Sequence, residues 1–153
     1  MSRRDQIRLT SAEQAAFLDE QRVIVCATNG IRGWPHLMPL WYVVRGEEVW
    51  AWTYAKSQKV RNLQRDPRAT LQVEDGESYE ELRGVMIEAH TELHRDLDTV
   101  AALGTELIAR YSPPNSSPEI AAAVRAQAAK RVAMQFRPER VTSWDHRKLG
   151  GVY

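Results

Sequence analysis

The residues of this chain that are best suited to binding an anion lie within residues 56–68. This segment carries one acidic side chain, Asp66, against five cationic ones, in a chain whose formal net charge is +1. The cationic residues are Lys56, Lys59, Arg61, Arg65 and Arg68. Ser57 adds a hydroxyl between the two lysines. Because ammonium and hydroxyl groups are the donors that phosphate oxygens accept, the segment predicts a site for the phosphorylated end of a cofactor.

The secondary-structure pattern around this segment supports the same prediction. An apolar, aromatic strand pattern ends at Tyr54, and a helical pattern follows in which Val60 and Leu63 are the inward-facing pair. Pro67 ends the helix, because the residue before a proline avoids the α region. The first backbone N–H groups of a helix lack partners within it and attract anions. A solvated, charged helix face is the competing interpretation of the same cations.

Length and composition restrict the class of protein. The 153 residues fit one domain, 1–153, and the hydrophobic fraction of 43% excludes a disordered chain. The near-neutral charge gives no sign of a nucleic-acid partner. Cys26 is the single cysteine, so neither an internal disulfide nor a cysteine metal cluster can form. The sequence contains no apolar run of membrane-spanning length and no signal-peptide core, so we expect a soluble, cytoplasmic protein without a membrane partner.

Tryptophan is concentrated in one part of the sequence. Four of the five tryptophans fall between positions 34 and 52, namely Trp34, Trp41, Trp50 and Trp52. Such a concentration predicts one aromatic-lined surface, either an interface or a pocket for a flat ligand. For Trp50, Trp52 and Tyr54 we favour the core of a dimer over a substrate platform, and residues near a bound ring can serve both purposes.

The periodicity of the chain predicts many strands with helices between them. A capping-box pattern at Thr10 and Glu13 begins a helix that ends near residue 20. Further helices are predicted over residues 96–111 and 119–130. The predicted strands are 22–28, 36–44, 49–54, 69–73, 82–93, 132–136 and 141–144, with a bulge at residues 83–84 and a break at Pro138. This order indicates an α+β barrel that is mostly β.

Several of these segments carry a family resemblance. The chain resembles the pyridoxamine-phosphate-oxidase-like split-barrel flavoproteins, and within them most closely the actinobacterial branch that depends on the deazaflavin coenzyme F420. The resemblance covers nearly the whole chain. The matching segments are residues 35–41, 52–53, 56–63, 66–68, 85–89 and 143–149. The Lys-x-x-Asn-Leu-x-x-Asp-Pro-Arg pattern that begins at Lys59 and the Trp-Asp-His pattern that begins at Trp144 are the more specific of them.

The resemblance implies a six-stranded antiparallel split β-barrel with peripheral helices, forming a homodimer with cofactor sites at the subunit interface. It implies that Ser57 and Lys59 hold the cofactor phosphate with Lys56 beside them, and it includes Asn62 among the cofactor-binding residues. It further implies that the tricyclic ring is lined by Met38, Pro39, Leu40, Trp52, Thr53 and Tyr54.

The resemblance also bears on the choice of cofactor. No isolated strand arginine matches the one that FMN-dependent oxidases place against the phosphate, so coenzyme F420 is favoured and FMN is the alternative. Arg61, Arg65 and Arg68 would then supply a cationic track for the oligoglutamate tail of F420.

The sequence leaves the catalytic residues unknown. It has no paired carboxylates, nucleophile elbow or glycine-rich nucleotide loop, but hydride transfer needs none of these because the cofactor carries the chemistry. Tyr54, His36 or water are the open choices for a proton donor. We expect no metal site, although His90 and His94 alternate with Glu88 and Glu92. The predicted function is an F420-dependent oxidoreductase acting on a small conjugated molecule; the alternatives are an FMN-dependent oxidase and a non-catalytic cofactor carrier or sensor.

Overall fold

The computed structural model describes residues 1–112 and 117–151, and its main feature is one antiparallel sheet. The strands are β1 (Ile24–Asn29), β2 (Pro35–Leu40), β3 (Val43–Arg45), β4 (Glu48–Tyr54), β5 (Arg68–Asp75), β6 (Arg83–His94) and β7 (Arg131–Asp145). Their order in the sheet is β2-β1-β5-β6-β7-β4-β3. One core joins buried residues of β1, β4, β5, β6 and β7, so the sheet curls around it into a half-barrel.

Helices occupy the periphery of this sheet. They are α1 (Arg3–Gln6), α2 (Ser11–Glu20), α3 (Gln58–Arg65), α4 (Leu97–Tyr111) and α5 (Pro118–Ala128), with short 3-10 helices at Tyr79–Glu81 and His146–Leu149. The capping box predicted for α2 is present, since Thr10 and Glu13 bond each other's backbone N–H groups. The mostly-β α+β split barrel predicted from the sequence is confirmed. In the described part of the chain, no helix has the length and apolar character needed to cross a membrane.

The expected count of six strands is wrong, because the sheet has seven. The strand predicted over residues 36–44 divides into β2 and β3, which lie at opposite edges of the sheet. The division occurs at Tyr42, whose side chain is fully buried and whose hydroxyl donates to the carbonyls of Leu18 and Gln21 at 2.6 and 3.1 Å. The chain leaves β2 after Leu40, buries the Tyr42 ring and continues as β3 at the other edge of the sheet.

The two closing strands expected on either side of Pro138 form a single strand, β7. The register with β6 shifts there, because Glu88 pairs with Arg140 and Ala89 with Pro138, which leaves Glu139 as an extra residue. This bulge accommodates a proline that has no N–H to donate. The bulge predicted at residues 83–84 is wrong. Gly84 lies beneath the Trp144 ring instead, which leaves no room for a β-carbon.

The outer face of β3, β4 and β7 is covered by α4 and α5. Trp50 is buried in this second core, and Trp52 packs on α4, where a β-carbon on Gly104 would lie 2.5 Å from its ring. Helices of the same chain bury Trp50, so the expectation that it forms the core of a dimer is wrong, whereas for the half-buried Trp52 and the exposed Tyr54 it stays a prediction. Trp50 and Trp52 face the helices because every second side chain along β4 points away from the barrel.

Candidate functional site

The site predicted from the sequence lies where β4 ends and α3 begins. Ser57 caps α3, since its hydroxyl accepts the N–H of Val60 at 3.3 Å. The Ser57 N–H donates to the carbonyl of Tyr54 at 3.0 Å, which closes the turn between strand and helix. The first amides of α3, at Gln58 and Lys59, have no acceptor within the helix because of their position. The junction therefore offers a hydroxyl and free amides at the positive end of a helix dipole.

Lys59 is the most unusual residue of this junction. Its side chain is 4% exposed, and its ammonium contacts the Thr53 hydroxyl at 3.4 Å. Among the described residues it makes no ion pair with a carboxylate. Burial lowers the pKa of Lys59, and the nearby Cys26 thiolate form would partly oppose that effect. Burial also raises the pKa of Cys26 to about 12, so this thiol stays protonated and inert.

The Thr53 and Ser57 hydroxyls link Lys59 to the start of the helix. The two oxygens lie 3.5 Å apart, and Thr53 is itself buried on the barrel side of β4. Lys56, by contrast, is exposed beside the junction. The structure therefore brings Thr53, Ser57 and Lys59 together and leaves Lys56 at the edge.

Most of the other cations of the segment are engaged within the chain. Arg65 donates to the carbonyl of Asn29 at 2.6 Å, and Arg68 forms an ion pair with Asp66 at 2.7 Å. The Arg68 guanidinium holds the pKa of the Asp66 carboxyl well below its ordinary value. Arg61 is exposed. Of the three arginines expected to form a cationic track, two are thus occupied by neighbouring groups.

Asn62 is fully buried, and its amide makes three hydrogen bonds inside the protein. Its Nδ2 donates to Thr28 Oγ1 at 3.1 Å, while its Oδ1 accepts from Gln58 at 2.9 Å and from Arg65 at 3.2 Å. These bonds fix α3 against β1. The arrangement suits a residue that positions the helix, and contact of Asn62 with a cofactor stays a prediction.

β2 is an exposed edge strand next to this junction. Its pairing with β1 sets Met38 opposite the buried Cys26 and Leu40 opposite the buried Ile24. Paired residues of antiparallel strands share a face, so Met38 and Leu40 lie on the concave side of the sheet. Leu37 and Pro39 lie on the convex side. Met38 is 44% exposed, so an apolar surface is available beside the junction.

The six residues expected to line a ring fall on two faces of the sheet. Met38, Leu40 and Thr53 share the concave face, whereas Pro39 and Trp52 lie on the convex one. Tyr54 is exposed at the end of β4, and the Arg131 guanidinium lies 4.3 Å from its ring centroid and 4.6 Å from that of Trp52. The period of two along each strand divides the side chains of this set between the two faces, and their contact with a ring stays a prediction.

A cavity of about 260 Å³ opens between α3 and the loop that joins β1 to β2 (residues 30–34). It is lined by Gly30, Ile31, Arg32, Trp34, Pro35, His36, Gln58 and Asn62. Sequence reasoning missed it, because only the tertiary structure brings this loop to the helix. One feature of the sequence could have indicated this cavity. Arg32 and Trp34 lie two residues apart in a turn segment, where neither side chain is needed for a core.

Candidate acid–base and metal-binding groups are sparse in this region. His36 lines the cavity, and no described residue gives its buried Nδ1 a hydrogen-bond partner. His90 Nε2 lies 2.9 Å from a Glu139 carboxylate oxygen, and His94 Nε2 lies 2.9 Å from Gln135 Oε1. Within residues 1–112 and 117–151, no three histidine, cysteine or acidic side chains form a group that could hold a metal ion. The geometry therefore offers binding and positioning groups rather than a catalytic constellation.

Comparison with known proteins identifies the family. The family model described as Pyridoxamine 5'-phosphate oxidase matches residues 10–145, which is most of the chain. The chain therefore belongs to the pyridoxamine 5'-phosphate oxidase family, as the resemblance of its motifs predicted. The comparison with curated proteins gives no match.

Solved structures agree with this assignment. The conserved hypothetical protein Rv2991 from Mycobacterium tuberculosis is 38% identical, with a TM-score of 0.91, covering 100% of this chain and 95% of that one. A protein described as an F420 reductase is 24% identical, with a TM-score of 0.65 over 82% of this chain and 93% of that one. A FAD-binding protein from Mesorhizobium loti is 19% identical, with a TM-score of 0.64 over 88% of this chain and 94% of that one. At these lower identities the likeness establishes the fold alone.

Proposed function

We propose that this protein is an oxidoreductase that binds coenzyme F420 where β4 meets α3 and transfers a hydride between the deazaflavin and a small conjugated organic molecule. The observation that carries the proposal is Lys59, a buried cation without a carboxylate partner among the described residues. Burying a charge without a partner is unfavourable, so such a group is retained where an anionic ligand supplies the partner.

The junction fits a phosphate group. The Lys59 ammonium, the Ser57 hydroxyl and the first amides of α3 are donors of the kind that a phosphate accepts. Thr53 keeps the lysine side chain in place through their 3.4 Å contact. Lys56 adds an exposed cation that attracts the ligand from solvent. Asn62 contributes by fixing α3 to Thr28 rather than by contact.

The concave side of β2 fits a flat ring. Met38 and Leu40 present apolar surface next to the junction, whereas Tyr54 stands exposed at the end of β4 on the same face as Trp52. When bound, the deazaflavin supplies the hydride chemistry, so the residues of the chain need only orient the reactants and exclude water. This matches a site that has no paired carboxylates. Pro39 and Trp52 support the ring from behind the sheet, since they lie on its opposite face.

The same proposal includes a homodimer. The convex face of β1 and β2 exposes Val25, at 36%, and Leu37, at 58%, and Ala27 lies opposite Leu37 in the pairing of the two strands. Val23, at the start of β1, is 49% exposed. An apolar patch on an edge strand is suited to contact with a second copy of the chain.

The test is a titration of purified protein with F420 and, separately, with FMN, followed by tryptophan fluorescence. We expect F420 to bind and FMN to bind weakly or not at all, and protein made in a host without F420 to be colourless. Tight FMN binding with no F420 binding would reverse the choice and favour the FMN-dependent alternative. F420 binding without turnover of quinones, enones or tetrapyrroles would favour a carrier or sensor.

A further inference from the structure

We propose that the cavity between α3 and residues 30–34 binds a small, flat, aromatic carboxylate, and that this compound class is the substrate. The term substrate rests on the function proposed above, whereas binding of the acid does not. The carboxylate is held by Arg32, and the aromatic ring packs against Trp34. His36 lies between this cavity and the proposed ring site at Met38.

The charge of the cavity specifies an anion. Among the described residues that line it, Arg32 is the one charged side chain, and none is an aspartate or glutamate. Among the described residues Arg32 makes no hydrogen bond or ion pair, so its planar guanidinium is available to a ligand. Guanidinium groups bind carboxylates through two parallel hydrogen bonds, which gives such a site geometric selectivity.

The apolar lining specifies a flat ring. Trp34 and Ile31 are 74% and 76% exposed, although both line the cavity. A ring placed against Trp34 would remove much of this apolar surface from water, and aromatic pairs gain further from stacked or edge-to-face contact. The volume of about 260 Å³ is below the range of about 300–1,000 Å³ typical of pockets for drug-sized ligands. One aromatic ring with a short acid chain fits that size.

His36 connects the cavity to the proposed hydride-transfer site. Within the described part of the chain its buried Nδ1 has no hydrogen-bond partner, which is unfavourable, and a half-turn of the ring would give Nδ1 a partner in the ligand. His36 and Met38 are two residues apart on the same face of β2, which corresponds to about 7 Å along a strand. A ligand in this cavity that contacts His36 therefore lies about 7 Å along the strand from the ring proposed at Met38.

The experiment measures binding to the cofactor-free protein by isothermal titration calorimetry. The probes are trans-cinnamate and its neutral counterpart, trans-cinnamamide. We expect the acid to bind about tenfold or more tightly than the amide, because one charge-assisted contact distinguishes them. Arg32→Met should remove that preference, whereas Arg4→Met, which removes an exposed arginine of α1, should preserve it. Equal affinities of acid and amide, or an unchanged preference in Arg32→Met, would overturn the proposal.

Two further measurements test the contact with His36 and the kind of anion that the cavity accepts. The ¹⁵N signals of His36 should shift when cinnamate binds to the wild-type protein, and unchanged signals would count against the assignment of His36. Triglutamate should fail to displace cinnamate. If it displaces cinnamate, the cavity takes the tail of the cofactor and the substrate assignment is wrong. Because no cofactor is present, these results are independent of the F420 titration.

Discussion

The Lys59 ammonium lies 3.4 Å from the Thr53 hydroxyl on the barrel side of the sheet. This contact joins the end of β4 to the first turn of α3, and it holds a cation where burial lowers its pKa. A neutral methionine would fill the same space without that electrostatic cost. A lysine at this position therefore favours a ligand-binding role over a purely structural one.

Replacement of Lys59 should change stability and binding in opposite directions. Lys59→Met removes a buried charge, so we expect the ligand-free variant to resist chemical denaturation at least as well as the wild type. F420 should bind about 10- to 100-fold more weakly, since a charge-assisted contact contributes about 1.5–3 kcal/mol. Denaturation curves and fluorescence titrations measure the two effects. Lys56→Met is the matched control and should weaken binding less, because Lys56 is exposed.

The stability difference between wild type and Lys59→Met should depend on pH. Because the pKa of Lys59 is lower in the folded state than its ordinary 10.5, the unfolded chain binds more protons between the two values. The wild type therefore gains stability relative to the variant as pH rises through that window. The raised pKa of Cys26 acts in the opposite direction, but both proteins contain that thiol. Denaturation at pH 7, 9 and 10.5 measures the difference, and a constant value would contradict a buried ammonium.

The exposed edge of the sheet should mediate self-association. Leu37→Glu places a charge on the convex face of β2, and we expect it to shift a dimer to the monomer in light scattering after size-exclusion chromatography. Leu97→Glu changes another exposed leucine, at the start of α4, where a carboxylate suits the helix dipole. This control should remain dimeric. If the wild-type protein is a monomer in the same measurement, the predicted homodimer is wrong.

Gly104 should tolerate no side chain while Trp52 is present. A β-carbon at this position would lie 2.5 Å from the Trp52 ring, so Gly104→Ala should lower the free energy of unfolding by about 1–3 kcal/mol through overpacking. Trp52→Leu shortens the facing ring, and the double variant should recover part of the loss. Additive losses in thermal and chemical denaturation would show that the two residues do not compete for the same space.

The sequence determined the local features of this protein. Thr10 and Glu13 specified the start of α2, Pro67 the end of α3, and the alternation of residues 49–54 a strand, because capping, φ restriction and side-chain period are properties of neighbouring residues. The motifs at residues 56–63 and 143–149 predicted the family, which the match over residues 10–145 confirmed. Ser57 and Lys59 were selected by charge and spacing alone, and their contact with a cofactor stays a prediction.

Only the tertiary structure decided which of these features meet. The strand predicted over residues 36–44 divided at the buried Tyr42 into two opposite edges, and helices of the same chain buried Trp50. The Asn62 amide donates a hydrogen bond to Thr28, and Arg32 and Trp34 line a cavity beside α3. These results depend on contacts between residues distant in sequence. Neither spacing nor propensity encodes such contacts, because they arise only when the sheet curls and the helices pack on it.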